Sequence, residues 1–255
     1  MHAVADAPEG PFAAREVVVP VFAHNPQVVR ASDGTYLLFH IGGTQLASAR
    51  TLDGPWTPVA GLPSCNNPSP VALPNGTLFV VCHGGPHPNH WGISVELMYA
   101  DSWRGPWSTF RGNAADGYDG GTALFSHPVE DPFLWTTNGS WHMLTHGFRM
   151  PMVSQSSALG AYAWAPSPFG PWTFQENRLV YSANVTLADG STYVLARRER
   201  PKVTTIMINE KKKKKKRKKK DGEWNNEPCP FLRRRAVIVS SPAFCYCLLL
   251  ASLLD

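Results

Sequence analysis

The sequence predicts an all-β fold, a β-propeller assembled from four-stranded blades. Three observations carry that prediction. A strand-rich unit recurs three times along the chain. Every copy closes on Gly-Pro-Trp, and those marks recur after 51 and 65 residues (54 to 105, 105 to 170). Within each copy, strand-like runs meet at an Asp-Gly or Asn-Gly pair, the strongest short-range hairpin signal. Four short strands per copy with a fixed aromatic is the pattern of a propeller blade.

The first copy opens at His24-Asn25-Pro26, turns at Asp33-Gly34-Thr35-Tyr36, runs to His40 and closes at Gly54-Pro55-Trp56. The second opens at Asn66-Asn67-Pro68, turns at Asn75-Gly76-Thr77, runs to His83 and closes at Gly105-Pro106-Trp107. The third opens at Glu130-Asp131-Pro132, turns at Asn138-Gly139-Ser140-Trp141, runs to His146 and closes at Gly170-Pro171-Trp172. Leu46–Ala49, Leu97–Ala100 and Ala161–Trp164 read as third strands, and the residues after each Gly-Pro-Trp as fourth strands. The tryptophan is expected to pack between neighbouring sheets.

A fourth unit begins between Asn184 and Leu195, around the turn Asp189-Gly190-Ser191, and leads into Arg197-Arg198-Glu199-Arg200-Pro201. Glu-Arg-Pro is comparable to the three earlier openings. After about Thr205 the character changes. Residues 211–220 are ten consecutive basic residues, and 236–254 are mostly apolar behind Arg233-Arg234-Arg235. The domain reading is therefore an incomplete propeller over 1–205, three to four blades, and a tail over 206–255 outside the fold. A polybasic run repels itself and is expected to be disordered. The run also has the composition of a nuclear address or RNA-binding arm, and 236–254 the length of a marginal membrane anchor.

The formal charge of +5 belongs to that tail. Before residue 206 there are 11 Lys+Arg against 14 Asp+Glu, a balance near −3, with Lys202 the single lysine. The folded part is thus not expected to bind nucleic acid. Cys65 and Cys82 lie in the repetitive region, where the sequence leaves open a bridge or two buried thiols. Asn75-Gly-Thr, Asn138-Gly-Ser and Asn184-Val-Thr are N-glycosylation sequons, and they raise a secreted or lumenal location. The opening MHAVADAPEG carries no apolar signal-peptide core.

An X-(Asn/Asp)-Pro opening, a glycine turn and an aromatic-aliphatic strand, in blade-like order over roughly 20–203, resemble the five-bladed glycoside hydrolases of family 43. Levansucrase- and invertase-like enzymes share that architecture. The resemblance implies that the innermost strands line a funnel in which glycosidic bonds of a polysaccharide or oligosaccharide are cleaved. It implies three carboxylates at strand openings: a first-blade Asp as base, a third-blade Asp as orienter, a fourth-blade Glu as acid. Asp131 falls at the second of these positions and Glu199 at the third.

Asn25 stands where the base belongs. An inverting hydrolase needs one protonated and one ionised carboxyl, roughly 6.5–9.5 Å apart, and an amide cannot take a water's proton. His24 and Glu130 are the nearest substitutes. Asn67 opens the second blade beside them, and Arg198 and Arg200 are placed to grip substrate oxygens. The alternative accounts are a turn cap for Asp131 and a salt-bridge cluster for Glu199. His40, His83 and His146, read at the ends of second strands, form an expected ring for sugar hydroxyls. No cofactor is implied, and a central cation is left open and unassigned. The expected partner is a carbohydrate; membrane association is expected only through 236–254. Two rivals stand beside the enzyme: a carbohydrate-binding propeller without turnover, and an inactive fragment.

Overall fold

Each repeat closes into its own four-stranded antiparallel sheet, so the blade reading holds. The computed structural model describes residues 2–6, 10–19, 23–83, 95–110, 129–147, 159–175, 180–187, 189–195, 199–208 and 233–241. The chain starts with a pair the sequence reading did not find. Strands β1 (Ala3–Val4) and β2 (Ala13–Ala14) pair antiparallel. Gly10-Pro11-Phe12 precedes β2 as Gly-Pro-Trp precedes each later fourth strand, so the pair matches the outer half of a blade.

Blade one is β3 (His24–Arg30), β4 (Tyr36–Ile41), β5 (Leu46–Ala49) and β6 (Thr57–Pro58), hydrogen-bonded in that order. Blade two is β7 (Asn66–Ala72), β8 (Leu78–His83), β9 (Val95–Ala100) and β10 (Ser108–Thr109). Blade three is β11 (Val129–Thr137), β12 (Ser140–Gly147), β13 (Leu159–Ala165) and β14 (Thr173–Phe174). The hairpin turns form where Asx-Gly pairs stand. Gly76 has φ 100°, a left-handed conformation that glycine takes without a Cβ clash, and Asn75 Oδ1 accepts the Thr77 N–H at 3.1 Å.

The Asn184–Leu195 stretch is not the first half of a fourth blade. It forms a separate two-stranded sheet, β15 (Asn184–Thr186) with β16 (Thr192–Val194). The fourth opening element instead starts β17 (Glu199–Ile208), which pairs with β18 (Arg233–Ser241). The chain divides into compact units at Pro201/Lys202, the second unit being Lys202–Val239. The basic run 211–220 and residues 242–254 of the apolar stretch lie outside the described residues. Among the described residues no helix is long and apolar enough to cross a membrane.

Strand alternation stacks the blades. Successive side chains of β8 point to opposite faces. Leu78, Val80 and Cys82 join Leu37, Phe39 and Leu46 of blade one in one buried cluster. Phe79 and Val81 join Val129, Leu134, Trp141 and Met143 of blade three in another. The tryptophans pack between sheets as expected: Trp107 meets Phe39 edge-on at 6.4 Å, and Trp172 packs on the second cluster. Cys65 and Cys82 are joined in a disulfide within the first cluster, which resolves the open alternative in favour of a bridge. First strands lie side by side, β3 against β7 and β7 against β11.

A polar clamp adds to this apolar stacking. Asp33, in the first hairpin turn of blade one, accepts from Trp103 Nε1 of blade two at 3.1 Å and lies 3.7 Å from Arg104. Partial burial opposes ionisation, but hydrogen bonds from the Thr35 N–H and from Trp103, with Arg104 nearby, hold the carboxyl at about 2 against an ordinary 3.8. A folded-state value below the unfolded one stabilises the fold above the unfolded value and loses that stabilisation as pH falls through the folded one. Stability is therefore predicted to fall between about pH 4 and pH 2 in the parent. Asp33→Asn should be less stable than the parent at neutral pH and should show a shallower fall across that window, measured as urea midpoint against pH.

Candidate functional site

The four openings share a backbone conformation, not only a motif. Asn25, Asn67, Asp131 and Arg200 each precede a proline and each is left-handed, at φ 51°, 48°, 51° and 55°. In the three blades the pairing register slips there, between His24 and Gln27, Asn66 and Ser69, Glu130 and Phe133. Two residues of the first strand thus oppose one of the second, which is a β-bulge. Asn and Asp tolerate this region because their short polar chains bond locally. Arginine does not share that tolerance, so Arg200 holds a conformation costing roughly 1–2 kcal/mol. Its own N–H donates to Asp131 Oδ2 at 3.2 Å, which helps hold it there.

The same register corrects the histidine ring. His83 pairs with Asn66 and His146 with Glu130, but the residue paired with His24 is Ile41. His40 is one position early, six residues past Gly34, whereas His83 and His146 are seven past Gly76 and Gly139. A shift of one residue turns a strand side chain to the opposite face. His40 consequently shares the position of Cys82 and Thr145 opposite the bulge. It is buried, and Nδ1 lies 3.2 Å from the Ile41 carbonyl. Burial pushes its imidazole below the ordinary value, with hydrogen bonds to the Ile41 and Gly42 backbone opposing.

The remaining side chains form one connected polar chain across four first strands. Asn25 Nδ2 donates to Asn67 Oδ1. Asn67 Nδ2 donates to Glu130 Oε1 at 3.3 Å. His83 Nδ1 lies 3.9 Å from that same oxygen. His146 bridges neighbouring carboxylates, with Nε2 3.5 Å from Glu130 Oε2 and Nδ1 3.1 Å from Asp131 Oδ2. Arg200 Nε stands 3.7 Å from Asp131 Oδ1, and its guanidinium donates to Glu199 Oε2 at 3.1 Å. Asp131 and His146 side chains are each only 2% exposed, while Glu130 keeps 29%. The arrangement thus holds a buried carboxylate, a half-buried one and an arginine-held one within a single network.

Two further candidate positions remain. His24 is exposed, at the register position of Asn66 and Glu130. Arg198 lies outside the described residues. Glu199 shares the place two before proline with His24, Asn66 and Glu130, whereas Arg200 shares Asp131's place before proline and its left-handed φ. Among the described residues no group of three His, Cys, Asp or Glu is arranged to hold a metal ion.

The sequence reading missed an aromatic stack on blade three. Trp135 stacks on His142 at 5.2 Å, and His142 on Tyr162 at 6.0 Å, with the Tyr162 hydroxyl 2.7 Å from His142 Nδ1. Burial pushes the His142 imidazole below and the Tyr162 phenol above their ordinary values; for His142 a hydrogen bond to the Thr137 backbone opposes. The signal was present as alternation: His142, Leu144 and His146 fall on one face of β12.

His146→Leu removes the imidazole that lies between two carboxylates, one of them deeply buried. The expected cost is about 1–3 kcal/mol, read as a lower urea midpoint at unchanged slope. An unchanged midpoint would show the bridge to be energetically idle.

No family model matches the chain. In sequence it is 37% identical over 79 residues to a probable arabinan endo-1,5-α-L-arabinosidase C of Aspergillus niger, covering 30% of this chain. The chain spans only 21% of that relative's length. Among solved structures, an exo-β-1,3-galactanase of Phanerochaete chrysosporium with galactose superposes at TM-score 0.45 and 13% identity, over 72% of this chain and 42% of that one. A family 43 arabinoxylan arabinofuranohydrolase of Bacillus subtilis with cellotetraose superposes at 0.41 and 18% identity, over 59% and 35%. By its strand openings and its match to the arabinosidase, the chain resembles the family 43 glycoside hydrolases.

Proposed function

We propose that this chain is a family 43-type glycoside hydrolase acting on a polysaccharide or oligosaccharide, with an arabinan as the first substrate to try. Glu199 protonates the departing glycosidic oxygen, and Arg200 fixes its orientation. Asp131, buried and bound to His146 and Arg200, positions the reacting sugar and the acid. Glu130 supplies the carboxylate that Asn25 lacks. It is partly exposed, so it can meet a water, and Asn67 and His146 fix both of its oxygens. A carboxylate can accept that water's proton and an amide cannot.

The single observation that supports the reading most is a pair of unpaired polar atoms beside the carboxylates. Asn25 Oδ1 and His83 Nε2 are buried with no hydrogen-bond partner among the described residues. A buried acceptor and a buried ring nitrogen left unpaired are costly, and both adjoin the carboxylate network. Sugar hydroxyls, each donor and acceptor, match that demand. Asn25 also favours a second reading, a propeller that binds sugar without cleaving it, because the family's base position carries no carboxylate.

Incubation of the full chain with linear α-1,5-arabinan and aryl arabinosides separates the two. Glu199→Gln is expected to lower kcat by roughly 10²–10⁴, the usual worth of a positioned acid, with KM little changed. Glu130→Gln should lose activity on the same scale. Unimpaired cleavage by Glu199→Gln would remove the acid assignment. Saturable oligosaccharide binding without any product from the parent chain would establish the binding propeller instead.

A further inference from the structure

We propose that Asn75, Asn138 and Asn184 carry N-linked glycans, all added in a disulfide-forming secretory compartment. The inference is independent of the catalytic reading. Three sequons in one chain are a pattern; the structure adds the conditions a pattern lacks. All three asparagines are exposed. Asn75 and Asn138 occupy the β7–β8 and β11–β12 turns, and Asn184 begins β15. At Asn75 the side-chain oxygen is engaged by the Thr77 N–H, so the hydroxyl residue of the sequon is already folded back onto the asparagine that would be modified.

A second chemistry points to the same compartment. The Cys65–Cys82 disulfide is buried between blades one and two, at 1% and 2% exposure. Such bonds form and persist in oxidising lumenal or extracellular surroundings. Making it requires two thiols to give two electrons and two protons to an oxidised dithiol carrier. Glycan transfer requires a lipid pyrophosphate-linked oligosaccharide. The asparagine Nδ2 bonds the anomeric carbon, the bond from that carbon to the pyrophosphate oxygen breaks, and the amide proton leaves as the lipid pyrophosphate departs. Both co-reactants belong to the secretory lumen.

Placement supports the assignment. Asn67 opens β7 and Asn75 follows its far end; Asp131 and Asn138 are related in the same way through β11. At about 3.3 Å per strand residue, the glycans on Asn75 and Asn138 stand roughly 20 Å from the bulges of their own blades. A bulky, solvating group there covers hairpin tips and leaves the bulges free.

The test is expression of the full chain behind a secretory leader in a eukaryotic cell, then digestion of both secreted and cell-retained pools with an N-glycosidase in ¹⁸O-water. The retained pool is read in the same way if secretion fails. Labelled aspartate at 75, 138 and 184, with loss of each label in Thr77→Ala, Ser140→Ala and Thr186→Ala respectively, is the expected result. An unlabelled asparagine in both pools overturns the assignment at that position, and free thiols at Cys65 and Cys82 in the secreted pool overturn the compartment.

Discussion

A left-handed residue immediately before a proline fixes the centre of this protein. Proline pushes its predecessor away from the right-handed helical region, and the bulge demands one residue more than the facing strand provides. Asn25, Asn67 and Asp131 meet that demand with φ near 50°, and Arg200, which also precedes a proline, shares the conformation. The result is a side chain re-aimed at each first strand's opening, where polar groups of neighbouring blades meet. Bulges beside active sites commonly serve this purpose. Here they convert four separate openings into one network from Asn25 to Glu199.

That network is a liability unless the blades hold it in place. Buried polar groups cost free energy when unpaired, and a partly satisfied network specifies a centre only if its scaffold is rigid. The scaffold is supplied by the alternation of β8, whose two faces belong to two different apolar clusters. His83 follows that alternation and faces blade three, so its ring reaches Glu130 of the neighbouring sheet. Asp33 ties the first hairpin turn of blade one to the β9–β10 turn of blade two, through Trp103 and Arg104. Packing, pairing and site therefore follow from one period-two pattern.

Much of this was legible before any coordinates. Glycine turns, Gly-Pro-Trp marks and X-(Asn/Asp)-Pro openings identified the three blades because each is a local requirement of backbone geometry. The neighbourhood of Asn25, Asn67 and Asp131 was also readable from their repeat positions, whereas Glu199 stands one residue before the matching place, which Arg200 takes. Register was not, because it depends on a bulge that inserts a residue into one strand only. That is why His40 was grouped with His83 and His146, although counting from the glycine of each turn separates them. The outer half-blade at the start escaped notice because Phe12 replaces the tryptophan. The turn between Asn184 and Leu195 was readable, but a turn signal says nothing about which sheet its strands join. Arg200's bond to Asp131 was invisible because an arginine in a left-handed conformation contradicts local propensity and is sustained by tertiary contacts.

The account rests on the bulge residues acting as one unit, and a double-mutant cycle on Asp131 and Arg200 tests it most directly. Asp131→Ala, Arg200→Ala and the double variant would be unfolded in urea beside the parent chain. The account predicts a coupling energy of at least about 1 kcal/mol, within the range of contacting charged partners. Additivity within about 0.3–0.5 kcal/mol, the behaviour of independent sites, would contradict it.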